Sequence, residues 1–213
     1  MHIAELWRYP VKSLAGEPIQ VTELSMSGIP DDRLVHVQDQ RGRIVTSRTK
    51  PRLLGLRGTL DPNGHALIDG RPWTDPASIE AIRAAAGDGA RLVQYDGPER
   101  FDVLPLLIAT DGAIARLGVD RRRLRPNIVV GGVEGLAERE WPGRRLAIGP
   151  TAIIAVAQLR GRCIMTTFDP DTQEQDLSVL RKIRDKFGGT MALDCDVIHG
   201  GPIALGDAVS LLD

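Results

Sequence analysis

The apolar stretches of this chain are short, about four to eight residues, and nearly all end at Gly, Pro, Asp or Asn. That rhythm disfavours long helices and favours many short strands joined by tight turns. With 23 glycines and 14 prolines in 213 residues, the turn chemistry such a fold requires is at hand. Strands are expected over residues 3–9, 19–24, 34–38, 43–47, 53–60, 66–68, 91–94, 106–109, 127–130, 152–157, 191–198 and 208–212. Three helices with start signals interrupt them. Asp75-Pro76 opens a helix over 77–86 with a cap and a first-turn proline. Thr110-Asp111 opens a short one that ends at Leu117-Gly118. Asp176 opens 177–187, stopped by Gly188-Gly189, and there Leu177, Leu180, Ile183 and Phe187 recur at helical spacing as a core-facing stripe. The expected class is mainly β with a few short helices. The most loop-like break, Asp96-Gly97-Pro98-Glu99-Arg100, divides the chain into residues 1–97 and 98–213.

A chain of this length buries a sizeable core without disulfides. Its 27 basic and 28 acidic residues leave a net charge of −1, so no overall field draws it to nucleic acid or to an anionic membrane. The run Arg121-Arg122-Arg123 lacks interleaved aromatics and reads as solvated surface. Cys163 and Cys195, the only cysteines, lack CxxC spacing and are too few for a disulfide scaffold, which points to a reducing compartment, the cytoplasm by default. The first eight residues hold an acid and a base and no long apolar run, the pattern of neither a signal peptide nor a membrane anchor. The four histidines form no i,i+4 pair, which argues against a His-built metal centre. No nucleophile elbow, Walker sequence or GxGxxG is present.

Candidate chemistry centres on Arg162-Cys163-Ile164-Met165-Thr166-Thr167-Phe168-Asp169-Pro170-Asp171-Thr172, where one cysteine stands between an apolar strand and a tight turn. Arg160 and Arg162 flank the sulfur, a setting suited to a nucleophile or metal ligand, while a buried, inert cysteine is the structural alternative. In Arg125-Pro126-Asn127 the proline is expected to hold the backbone extended, so that Arg125 and Asn127 share a face and could grip an anion; a strand-end Arg beside a loop-forming Pro-Asn is the plainer reading. Lys12 and Ser13 leave the first strand through Pro10 and could meet a phosphate, or could be an ordinary exposed pair. Residues 41–52 carry five basic side chains, Arg48 among them, and no acidic one, which fits an anion site or a solvated basic edge. Asp169 and Asp171 read as turn formers.

Taken in order, Tyr-Pro-Val-Lys-Ser at 9–13, Val-Thr-Ser-Arg at 45–48, Arg-Pro-Asn at 125–127 and Arg-Cys-Ile-x-Thr-Thr-x-Asp-Pro-Asp-Thr at 162–172 resemble the MOSC proteins that carry an N-terminal MOSC β-barrel segment. This group includes the mitochondrial amidoxime-reducing component and YcbX-like bacterial proteins. The resemblance covers essentially the whole chain. It implies a MOSC-type barrel with an N-terminal β-rich segment, and a molybdenum cofactor (Mo-molybdopterin) held between the halves with one protein cysteine on the metal. Cys163 matches that ligand, a soft thiolate for a metal already held by sulfur. On the same resemblance Lys12, Ser13, Arg48, Arg125, Asn127 and Arg162 contact the cofactor, and Asp102 is an acidic residue near the metal that could assist proton transfer.

The implied activity is reduction of N-hydroxylated compounds, with oxygen removed as water and electrons delivered by an external ferredoxin, flavodoxin or cytochrome b5-like protein. No plant-type ferredoxin domain follows the MOSC segment, so no internal iron–sulfur cluster is expected. A carrier of the cofactor, or of persulfide sulfur on Cys163, without substrate turnover is the alternative. Two departures stand out: Val103 and Leu104 replace small hydroxyl residues after Asp102, and Gly161 stands where a Ser often precedes Arg-Cys.

Overall fold

The structure, a computed structural model, describes residues 1–212. Its strands are β1 (His2–Arg8), β2 (Glu17–Ile19), β3 (Val21–Leu24), β4 (Val35–Gln38), β5 (Ile44–Val45), β6 (Gly58–Leu60), β7 (Ala66–Ile68), β8 (Arg71–Pro72) and β9 (Arg91–Gln94) in the first half. The second half supplies β10 (Leu106–Thr110), β11 (Ile128–Gly131), β12 (Arg145–Ile148), β13 (Ala152–Gly161), β14 (Thr190–His199), β15 (Gly201–Ala204) and β16 (Val209–Leu212). Helices are α1 (Pro76–Ala86), α2 (Asp111–Leu117) and α3 (Leu177–Phe187). Each has the expected start, because Asp75, Thr110 and Asp176 accept a hydrogen bond from the first turn. Gly118 and Gly188 end the latter two in the left-handed conformation that a Cβ penalises.

The main sheet runs β16-β12-β13-β14-β10-β11-β1-β2, antiparallel except between β10 and β11. Its ends meet. An antiparallel bridge joins His2 to Ala208, flanked by Ile3 N–H to Asp207 O at 2.9 Å and Val209 N–H to Met1 O at 3.0 Å. This closes β1, β11, β10, β14, β13, β12 and β16 into a ring, which removes the open edges a flat sheet would leave. Apolar side chains fill it, Leu6, Ile108, Ile128, Ile154 and Cys195 among them. Burial pushes the Cys195 thiol's pKa well up, as expected for an inert core cysteine.

A smaller layer, β5-β4-β9 and β6-β7-β8 with α1, has its own core around Val11, Leu14, Val37, Leu53 and Ile82. A third cluster packs α2 and α3 against β10 and β14. The first strand therefore belongs, by hydrogen bonding, to the sheet of the second half, while β3 pairs with β15 in a separate two-stranded sheet. No helix among the described residues is long and apolar enough to cross a membrane.

Several local expectations change. The strand expected over 19–24 splits at Gln20 because β2 pairs with β1 and β3 turns away to β15. Within 53–60, Pro51 starts a 3-10 turn, Pro51–Gly55, that buries Leu53 and Leu54, and only Gly58–Leu60 is strand. In α3 the buried row is Val179, Ile183 and Phe187, an i,i+4,i+8 line, and Leu177 is 50% exposed. The strands β12 and β15 were not evident from the residues.

Candidate functional site

The register of β13 against β14 slips three times, at Ile153/Ile154, Val156/Gln158 and Leu159/Gly161. Bulges re-aim side chains, and the last two lie where Gln158, Arg160 and Arg162 leave the ladder toward one cavity of about 330 Å³. Four other segments deliver other site residues expected from the sequence. The turn after β1 brings Lys12 and Ser13, the turn after β5 brings Arg48, the approach to β10 brings Asp102, and the approach to β11 brings Arg125. Seven of the eight site residues expected from the sequence thus line a single cavity; Asn127 does not.

Asp102 is the hub of the cluster. Its carboxylate meets Lys12 Nζ at 3.0 Å, Arg48 Nη2 at 2.7 Å and Arg160 Nη2 at 3.5 Å. Burial alone would raise its pKa, but these three cations outweigh burial and hold it below the usual carboxylate range. A carboxylate so held has no proton to give at neutral pH. In the structure it is the counter-ion to three cations. Lys12 is fixed further by donating to Arg100 O at 2.7 Å, and burial lowers its pKa against the pull of Asp102. Arg160 also reaches buried Asp194 at 2.8 Å, and Gln158 donates to the other oxygen of that carboxylate at 3.2 Å.

Cys163 is half-buried at the start of a 3-10 turn, Ile164–Thr167, whose Thr166 hydroxyl donates to the Cys163 carbonyl at 2.9 Å. Arg48 lies beside the thiol; burial would lower its pKa, and Asp102 with Cys163 more than offsets that. Behind the turn, Arg123 donates to Thr167 O and to Asp169 Oδ2, both at 2.9 Å, and Arg122 forks onto Asp171 at 2.8 and 2.7 Å. The arginine run is therefore paired as well as partly solvated: Arg121 meets Glu5, and Arg122 and Arg123 clamp the cysteine turn through Asp171 and Asp169, which form the turn and pair at the same time.

Arg125 has φ +57°, not the extended backbone expected before a proline. Its guanidinium stacks on the Tyr9 ring at 4.3 Å and has no hydrogen-bond or ion-pair partner among the described residues. Because of that turn, Arg125 and Asn127 do not share a face. Asn127 is fully buried and donates to Asp32 Oδ2 at 3.0 Å, while its carbonyl accepts from Leu107 N–H at 3.2 Å. Asp32 in turn pairs with Arg33, which lines the cavity. Asn127 supports the wall from behind.

Arg162 donates to Leu124 O at 2.8 Å, but its Nε is buried without a partner. Burial pulls both Arg125 and Arg162 down to about 10, so both stay charged at neutral pH. Seven cationic side chains line the cavity against the two carboxylates of Asp102 and Asp194. Uncompensated guanidinium groups in a partly dry wall are costly, and an anionic ligand would relieve that cost. Among the described residues no group of three or more His, Cys, Asp or Glu converges, so a metal at Cys163 would bring its other ligands from a non-protein group. The arrangement fits a ligand with a thiophilic metal at one end and a phosphate elsewhere.

Arg33 and Asp194 are not singled out in the sequence, and Arg123 reads there as surface. Asp194, an acid inside the apolar run Met191–Val197, was the one signal of these that the residues offered.

Comparison with known proteins agrees with this assembly. Residues 1–96 match the MOSC N-terminal beta barrel domain and residues 109–210 match the MOSC domain. The chain is 27% identical to human mitochondrial amidoxime-reducing component 1 over 99% of this chain and 82% of that protein. It is 28% identical to human mitochondrial amidoxime reducing component 2 over 85% of this chain and 72% of that one. The crystal structure of the YuaD protein from Bacillus subtilis shares the fold, with a TM-score of 0.50 and 14% identity over 99% of this chain and 94% of that chain. The chain belongs to the MOSC family, with a MOSC N-terminal β-barrel domain ahead of its MOSC domain.

Proposed function

We propose that this protein is a molybdenum-cofactor-dependent reductase of N-hydroxylated compounds, supplied with electrons by a separate electron-transfer protein. The observation that carries the reading is the convergence of a half-buried Cys163 with two guanidinium groups, Arg125 and Arg162, that have unmet hydrogen-bonding capacity in one cation-rich cavity. The names of the amidoxime-reducing relatives supply the reaction class. In this reading Cys163 is the protein ligand to the metal. Lys12, Ser13 and Arg48 hold the cofactor's phosphate, and Arg125 and Arg162 bind its remaining acceptors. Asp102 keeps three cations aligned, and Asn127 acts through Asp32 and Arg33.

When bound, the cofactor supplies the oxygen-atom transfer and two-electron chemistry. Overall, two electrons and two protons replace the N–O bond by N–H and release one water. The protein's share is to orient the group and to surround it with fixed positive charge.

Protein purified from a molybdenum-replete host and given a reduced viologen dye is expected to reduce benzamidoxime to benzamidine. Stoichiometric molybdenum without turnover would refute the reductase reading and favour a carrier. Sulfur added to Cys163 without molybdenum would favour the persulfide alternative. Arg125→Ala is expected to weaken cofactor retention about ten- to a hundredfold, or about 1.5–3 kcal/mol, as for a lost hydrogen bond to a charged group. Equal molybdenum occupancy in wild type and variant at limiting cofactor would contradict its placement.

A further inference from the structure

A second cavity, of about 470 Å³, adjoins the first and shares Arg123, Arg125 and Met165 with it. Of the proposed cofactor contacts only Arg125 lines it, which leaves the rest of its wall for a second molecule. Its walls present Trp7, Tyr9, Leu54 and Phe168, a surface suited to a flat ring. Tyr9 is locked in place by its hydroxyl, which donates to Pro126 O at 3.0 Å. Gly16 permits this, since a Cβ there would lie 2.5 Å from the Tyr9 ring.

The charges around that ring-shaped space are one-sided. Asp171, the lining carboxylate, is consumed by the fork from Arg122, which Asp120 also engages. The Arg57 side chain has no hydrogen-bond or ion-pair partner among the described residues, and neither does Arg125. With Arg125 committed to the cofactor, the chamber offers the Arg57 guanidinium unneutralised and no free acid. A cationic ligand finds no counter-charge there, and a carboxylate finds a fork of donors.

We infer that this chamber is the substrate pocket and selects planar aromatic N-hydroxy compounds that carry a carboxylate. The inference rests on the reductase reading. The ring lies among Trp7, Phe168 and Leu54, and the carboxylate pairs with Arg57. The N–O group points toward Met165, two residues beyond Cys163 and common to both cavities.

The test compares 4-carboxybenzamidoxime, benzamidoxime and 4-amidinobenzamidoxime with the cofactor-loaded protein. The expected kcat/KM order is anionic above neutral above cationic, with at least tenfold between the extremes, and Arg57→Glu inverts it. A separate readout uses cofactor-free protein, in which 4-carboxybenzamidoxime should quench tryptophan emission. That signal should vanish in Trp7→Phe and need at least fivefold more ligand in Arg57→Glu. Quenching with this dependence but no turnover would uphold the chamber and sink the reductase reading. Turnover with no charge order and no effect of Arg57→Glu would overturn the chamber and leave the reductase reading standing.

Discussion

Cys163→Ala is expected to lower benzamidoxime turnover by at least about a thousandfold, equivalent to about 4 kcal/mol of transition-state stabilisation, while the fold stays intact. The separation follows from where the sulfur sits. Cys163 makes no side-chain cap bond to its 3-10 turn and is only half-buried, so its removal leaves little void. The turn is held by Thr166, Thr167 and the Arg123 clamp. Cys195→Ala supplies the opposite case. That thiol is fully buried in the ring's core and distant in role, so its loss should cost about 1 kcal/mol of stability and leave turnover per folded molecule unchanged. Thermal melts and turnover measured side by side on the two variants check this. If Cys163→Ala keeps wild-type turnover, the sulfur is not a metal ligand.

Asn127→Ala should do the reverse, with a melting temperature lower by roughly 10 °C, corresponding to about 3 kcal/mol in a chain of this size. The side chain is fully buried and stands in for a piece of missing sheet, accepting from Leu107 N–H next to its own backbone donation to Leu107 O at 2.7 Å. Removing it leaves that N–H and the Asp32 carboxylate each short of a partner in a dry interior, which costs more than the bonds themselves contributed. Cofactor affinity of the fraction still folded should fall less than in Arg125→Ala. A variant with an unchanged melt and sharply reduced cofactor binding would restore Asn127 to the cofactor's direct contacts.

All but one of the strands that frame the ring were legible because their apolar runs are bounded by turn residues, and the helices because Asp75, Thr110 and Asp176 are genuine caps. Short strands such as Arg145–Ile148 and Gly201–Ala204 were not, since four residues carry too little periodicity; the first forms a hairpin with the strand after it, and the second pairs far back in the chain. Ring closure was implied by the family resemblance and not by any local pattern. In the site, motif residues could be placed but their directions could not. Arg125 takes a left-handed backbone conformation that its proline neighbour argues against, and this alone separates it from Asn127. The Arg121-Arg122-Arg123 run looked solvated because its partners, Glu5, Asp169 and Asp171, are remote in sequence. That Asp102 gathers three cations from three different segments was not legible either.

Everything proposed for the site requires that the Cys163 sulfur bind molybdenum. X-ray absorption at the molybdenum edge, on wild type and on Cys163→Ala loaded with the same cofactor, measures this directly. The wild type should show one more sulfur neighbour around the metal than the variant. An identical sulfur shell in the two proteins would contradict the account.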